Sequence, residues 1–215
     1  MVDILTAVAT NVWVTATWEE FTTIKDDPKY DESIATKFYF DDGQMRIEDM
    51  GIGSAHGQDN SILASAISLY GTLKDLNYVT FTGSSFQKIG ERECQPDLAY
   101  YIDKDIQRPV KNNQPVSVDT YGPPTLAIEI SASTLGDDLG KKRLLYERLN
   151  VQEYWVVDVE ASEVIAFKVD NGGSHQIQTS MVLPNLNMSI IEEALERSKT
   201  EDDGAINRWL LKHFS

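Results

Sequence analysis

The sequence is short of cysteine, of basic residues and of long apolar runs. A single cysteine, Cys94, stands in 215 residues. It has no partner for an internal disulfide, so the simplest setting is a reducing, cytoplasmic one. No apolar run approaches the roughly 18 residues that a membrane helix requires, and no membrane span is expected. Residues 1–17 are mildly apolar, but they carry Asp3 and Asn11, and the first base is Lys25. The basic leader of a signal peptide is therefore missing. With 19 bases against 34 acids the net charge is -15. Such a surface repels polyanions at long range, and any nucleic-acid function must overcome it. Zinc-type His/Cys spacing, a Gly-x-Ser-x-Gly elbow, a phosphate-binding loop and a Gly-x-Gly-x-x-Gly turn are all lacking. Those absences set aside structural zinc sites, serine hydrolases of the elbow type, nucleotide hydrolases and dinucleotide enzymes. No 20–50 residue period repeats, which excludes a solenoid.

What is present is ordinary for a globular chain: 41% hydrophobic, 25% charged. The length fits a single domain over 1–215, with a core at about 17–186 and a C-terminal helical extension at about 189–215. Thr17-Trp-Glu-Glu20 has the pattern of a capping box. Lys37-Phe-Tyr-Phe40 and Gln44-Met-Arg-Ile47 flank Asp41-Asp-Gly43, the pattern of a hairpin. Leu63, Ala66, Ile67, Tyr70 and Leu73 fall at helical spacing within 54–76. Short strands are expected at 78–82, 85–89 and 96–102, followed by a long loop over 103–124. A strand at 125–131, a helix at 139–149 entered through Asp137-Asp138, and strands at 154–159 and 163–169 follow, with one more at 176–183. Two terminal helices close the chain, the first opened by a second capping box at Ser189-x-x-Glu192. This mixed order predicts an α+β or mixed α/β fold, with a mixed twisted sheet flanked by helices, an N-terminal hairpin and C-terminal helices.

Four places could carry chemistry. In the strand Thr125-Leu-Ala-Ile-Glu-Ile-Ser131, alternation sets Leu126, Ile128 and Ile130 on one face and Glu129 and Ser131 on the other. Glu129 lies either on a solvated sheet face or in the interior, where it must be paired or bound to a metal. Asp97 opens the strand 96–102, and two acids on two strands could meet at one hard cation such as Mg²⁺. Leu139, Lys142, Tyr146 and Leu149 form one helical stripe, which turns Lys142 toward the sheet and leaves Lys141 and Arg148 to solvent. Lys142 then either snorkels, pairs with Asp138 at i,i+4, or aims its charge at the Glu129 face. His56 and Asn60 lie one helical turn apart beside a Gly-rich loop.

Together, Gln95-Pro-Asp-Leu98, Thr125-Leu-Ala-Ile-Glu-Ile130, Asp138-Leu-Gly-Lys-Lys-Arg-Leu-Leu-Tyr146 and Val151-Gln-Glu-Tyr-Trp-Val-Val-Asp158 resemble the Uma-type family of restriction-endonuclease-like proteins. That family is long known as a domain of unknown function and is assigned to the PD-(D/E)xK nuclease superfamily. The resemblance runs from about Thr17 to Leu186. It implies a Mg²⁺-dependent endonuclease, with Mn²⁺ a possible substitute, that hydrolyses DNA phosphodiesters. By the same resemblance Asp97 and Glu129 are the metal carboxylates, the Ile130 carbonyl completes the coordination, and Lys142 replaces the superfamily lysine, whose position holds Ser131. His56, Ser131 and Asp138 are accessory candidates. A homodimer is expected because cutting a duplex needs two sites. Two rival expectations are a relative that has lost catalysis and binds nucleic acid or protein, and an acidic protein that mimics DNA.

Overall fold

The computed structural model describes residues 9–28, 36–49 and 53–215. The Thr17 capping box forms as expected. Glu20 N donates to Thr17 Oγ1 (3.2 Å), Thr17 N donates to Glu20 Oε2 (2.7 Å), and a short strand β1 (Trp13–Thr15) leads into helix α1 (Trp18–Lys25). Strands β2 (Thr36–Asp41) and β3 (Gln44–Asp49) form the hairpin. Its turn has Asp42 at φ 52 and Gly43 at φ 71, the paired positive angles that match the twist of the strands. Helix α2 (Ser54–Leu73) leads to β4 (Tyr78–Thr82), β5 (Phe86–Lys88), β6 (Arg92–Cys94) and β7 (Leu98–Ile102). The 103–124 segment is not wholly loop. It contains β8 (Val116–Ser117) and a single turn α3 (Val118–Tyr121), capped by Ser117.

Strand β9 (Leu126–Ser131) is followed by a helix in three pieces: α4 (Leu135–Asp137), a π turn (Asp138–Lys142) and α5 (Arg143–Leu149). Asn150 stops it in the left-handed conformation at φ 66, a position Asn tolerates. Strands β10 (Glu153–Asp158), β11 (Glu163–Asp170) and β12 (Gly173–Ile177) come next. The last strand lies earlier than the expected 176–183. Asn171 and Gly172, at φ 51 and 79, turn the chain back directly onto β11. Helices α6 (Met188–Ser198) and α7 (Asp203–Phe214) end the chain. The second capping box does not form. Asn187 takes the cap, its Oδ1 accepting from Ser189 N (3.0 Å) and Ser189 Oγ (2.7 Å), while Glu192 accepts from Val164 N (3.1 Å).

Among the described residues the strands make two six-stranded sheets. The first runs β1-β3-β2-β6-β5-β8 and the second β12-β11-β10-β9-β7-β4. Pairing is antiparallel apart from β9–β10 and β5–β8, so both sheets are mixed and the fold is α+β. Alternation decides what lies on each side of the second sheet. Leu98, Tyr100, Leu126, Ile128, Ile130, Trp155 and Val157 pack with α2, α6 and α7 in one core cluster. Ala99, Tyr101, Ala127, Tyr154 and Val156 meet Tyr39, Phe86, Leu145 and Tyr146 in a second cluster, between this sheet, the first sheet and α5. The outer side of the hairpin packs Phe40 and Met45 on Phe21 of α1. The polar side chains of the hairpin therefore point into the interior between the sheets. No helix among the described residues is long and apolar enough to cross a membrane.

Candidate active site

Four neighbouring strands and two helices bring charged groups to one end of the space between the sheets. Asp97 has the parity of Ala99 and Glu129 that of Ala127, so both face this space from antiparallel neighbours paired at Leu98–Ile128. They are 4% and 1% exposed, so Glu129 does not lie on a solvated face. Opposite them, β2 presents Lys37 and Tyr39. The Lys37 ammonium lies between the two acids, 2.7 Å from Asp97 Oδ1 and 3.2 Å from Glu129 Oε2. The remaining oxygen of each acid is also held. Asp97 Oδ2 accepts from the Ile130 amide at 2.8 Å, and Glu129 Oε1 accepts from Tyr146 at 2.7 Å and Tyr39 at 3.0 Å. His56, in the first turn of α2, sets Nε2 3.3 Å from Asp97 Oδ1. Lys37, Glu48, His56, Asp97, Glu129 and Ser133 are among the walls of a cavity of about 50 Å³, enough for a few waters or an ion.

Lys142 sits elsewhere in the same charge network. The helical stripe buries it as expected, at 1% exposure beside Tyr146 and Leu149, with Lys141 left at the surface. Its ammonium, however, is held by Glu48 Oε2 and Asp138 Oδ1, each at 2.8 Å, and lies 4.5 Å above the Tyr39 ring. The ammonium bonded to the Asp97–Glu129 pair is that of Lys37. Asp138, at the i,i+4 spacing, takes up the lysine from its own helix, and Glu48 meets it from β3. Ser131 joins this second group. Its hydroxyl meets Thr134 Oγ1 at 3.4 Å, and Thr134 donates to Asp138 Oδ2 at 2.6 Å. Ile130 reaches the site by its amide. Asp97, Glu129, His56 and Ile130 are thus brought together directly, and Ser131, Asp138 and Lys142 stand one layer behind. Lys37, Tyr39, Glu48 and the hydrogen bond made by Tyr146 were not among the expected site groups. For Lys37 and Tyr39 the signal was the alternation Lys37-x-Tyr39 against Phe38-x-Phe40.

Burial and pairing tune these groups in opposite directions. Burial pushes the Glu129 carboxyl up to about 7, against the pull of the Lys142 and Lys37 charges. Burial acts on Asp97 the same way, but Lys37 and His56 outweigh it and hold this carboxyl well below the usual range. His56 is raised, mainly by its hydrogen bond to Asp97. Burial opposes the charge on Lys37, yet Glu129 and Asp97 more than offset it and raise its pKa. Lys142 is raised likewise, with Glu129 its strongest counter-charge, followed by Asp138 and Glu48.

The donor set suits a hard cation: two carboxylates that already share one positive charge, Lys37, as a stand-in between them. Among the described residues no three His, Cys, Asp or Glu side chains converge on a single point. A divalent cation here would be held by two carboxylates and complete its shell with water, the usual manner of Mg²⁺.

The model of the Uma2 family, described as "putative restriction endonuclease", matches residues 18–200. The chain belongs to this family. Among curated proteins none matches. A solved structure described as a "putative nuclease belonging to DUF820", from Anabaena variabilis ATCC 29413, is similar to this Uma2-family chain. It has a TM-score of 0.57 and 16% identity, covering 83% of this chain and 98% of that one. At that identity the likeness establishes a shared fold.

Proposed function

We propose that this Uma2-family protein is a divalent-metal-dependent endonuclease that hydrolyses DNA phosphodiesters at the Asp97–Glu129 pair. The observation that carries the reading is the convergence of these two buried carboxylates on one cation at the wall of a small cavity. Asp97 and Glu129 would hold a Mg²⁺, or Mn²⁺ in its place, with the Ile130 carbonyl as a further candidate ligand. Bound there, the cation would lower the pKa of a coordinated water and neutralise charge on the phosphodiester. The residues around it fix the acids in place. The Ile130 amide and His56 orient Asp97, and Tyr39 and Tyr146 occupy Glu129 Oε1, so Oε2 is the oxygen turned to Lys37. Lys142 is a positioning residue. It favours the ionised form of Glu129 through its charge, without touching it. Asp138 holds Lys142 directly, and Ser131 braces Asp138 through Thr134.

A net charge of -15 means that DNA affinity must come from local cations and from the metal. Cutting both strands would require two copies, a homodimer that light scattering would reveal. The chemistry is tested by Mg²⁺-dependent cleavage of supercoiled plasmid, which should be present in the wild type and lost in Glu129→Ala. A second reading, a binding module without catalysis, is favoured by one observation: Lys37 already bridges the acid pair.

A further inference from the structure

We propose that Lys37 gates the cation site: its ammonium lies where a divalent cation must lie, and it has to swing toward the incoming phosphodiester before that cation can bind. The proposal rests on the nuclease reading for its substrate, but not for its effect on the metal. Three features carry it. The ammonium is bonded to both acids at once, at 2.7 and 3.2 Å, so no cation can bridge Asp97 Oδ1 and Glu129 Oε2 without displacing it. Lys37 also lines the cavity, whereas Lys142, equally buried, does not. Finally, the cavity of about 50 Å³ gives the end of a four-carbon side chain room to turn without moving the strand. Glu48, directly across the hairpin from Lys37, lines the same cavity. It is already engaged with Lys142 and Arg46, so it offers the displaced ammonium only a shared counter-charge.

The displaced ammonium needs an anion, and a phosphodiester supplies one. Metal and DNA then bind cooperatively, each easing the entry of the other, because a coupling between two ligands acts equally in both directions. Lys37 would weaken metal binding in the absence of DNA and place a positive charge on the phosphate in its presence. This confines the loaded, reactive site to the moment when substrate is bound.

The test is a calorimetric titration of Mn²⁺, without DNA, into the wild type, Lys37→Met and the surface control Lys141→Met at pH 8. Lys37→Gln, which keeps a hydrogen-bond donor, serves as the second variant should Lys37→Met fold poorly. The expected result is Mn²⁺ binding at least tenfold tighter in the Lys37 variants and unchanged in Lys141→Met. At saturating Mn²⁺ the same Lys37 variants should cleave supercoiled plasmid at least 100-fold more slowly. Mn²⁺ affinity equal to or weaker than that of the wild type overturns the gate, even if the wild type is an active nuclease. Tighter Mn²⁺ binding in a protein that never cleaves DNA upholds the gate and refutes the nuclease reading.

Discussion

Replacing Lys142 with methionine probes how the buried charges are shared. Its ammonium is 1% exposed and lies 2.8 Å from both Glu48 and Asp138, themselves almost fully buried. Methionine fills much of the same volume but leaves those carboxylates without this cation, Asp138 above all, since Glu48 keeps Arg46 at 3.0 Å. Breaking a buried pair from one side costs about 3–5 kcal/mol, because the remaining charge stays desolvated. In a chain of this size each kcal/mol lowers Tm by about 2–4 °C, so a fall of about 10 °C is expected. Urea denaturation at pH 8 measures the loss, with Lys141→Met, a surface change expected to stay within about 0.5 kcal/mol, as the control. Adding Asp138→Asn to Lys142→Met should recover part of the loss, since it removes the orphaned charge. A Lys142→Met cost below about 1 kcal/mol, or no recovery in the double variant, would refute the ion-pair assignment.

Stability should fall as pH rises from about 4.5 to about 7. Glu129, at about 7 in the fold, binds a proton there that the unfolded chain has released, worth up to about 3 kcal/mol. His56, raised in the fold, extends the fall above its ordinary pKa of about 6.5, and Glu129→Gln should flatten the fall below it; urea midpoints rising between pH 5 and 7 would contradict this. If Lys142 supports the ionised form of Glu129, the rate–pH profile of plasmid cleavage in Lys142→Met should shift to higher pH, which a purely structural lysine would not cause. Glu153, 0% exposed, accepts from Trp155 Nε1, Ser180 Oγ, Met181 N and Val182 N. Glu153→Gln should cost about 2–4 kcal/mol by denaturation with cleavage per folded molecule unchanged, since it leaves donors facing a donor.

The parts of the site visible in the sequence were those where periodicity coincided with an odd residue. Glu129 stood out because a carboxylate broke an apolar strand, and alternation turned it away from Ile128 and Ile130. The burial of Lys142 followed from its stripe with Tyr146 and Leu149. Lys37 stayed hidden for the opposite reason. Lys37, Tyr39, Arg46 and Glu48 form one polar side of a hairpin whose other side is Phe38, Phe40, Met45 and Ile47, and such a hairpin normally faces water. Here α1 covers the apolar side and the second sheet covers the polar side, a contact between distant segments that no local pattern encodes. The partners of Lys142 divide in the same way. The i,i+4 spacing names Asp138, which the fold does pair with it, whereas Glu48 arrives from the hairpin and leaves no local trace. Strand β6, three residues long, is too short to show alternation.

The proposed assignment of Asp97 and Glu129 as a metal-dependent phosphodiesterase centre stands or falls on cleavage. Its most direct test is a time course of supercoiled-plasmid nicking by the wild type, Asp97→Asn and Glu129→Gln, each with Mg²⁺ and with the metal chelated. Nicking is expected of the wild type with Mg²⁺ alone, with a fall of at least 100-fold in both variants while their circular dichroism spectra remain those of the folded protein. Nicking that persists under chelation, or that survives either substitution at the wild-type rate, would contradict it.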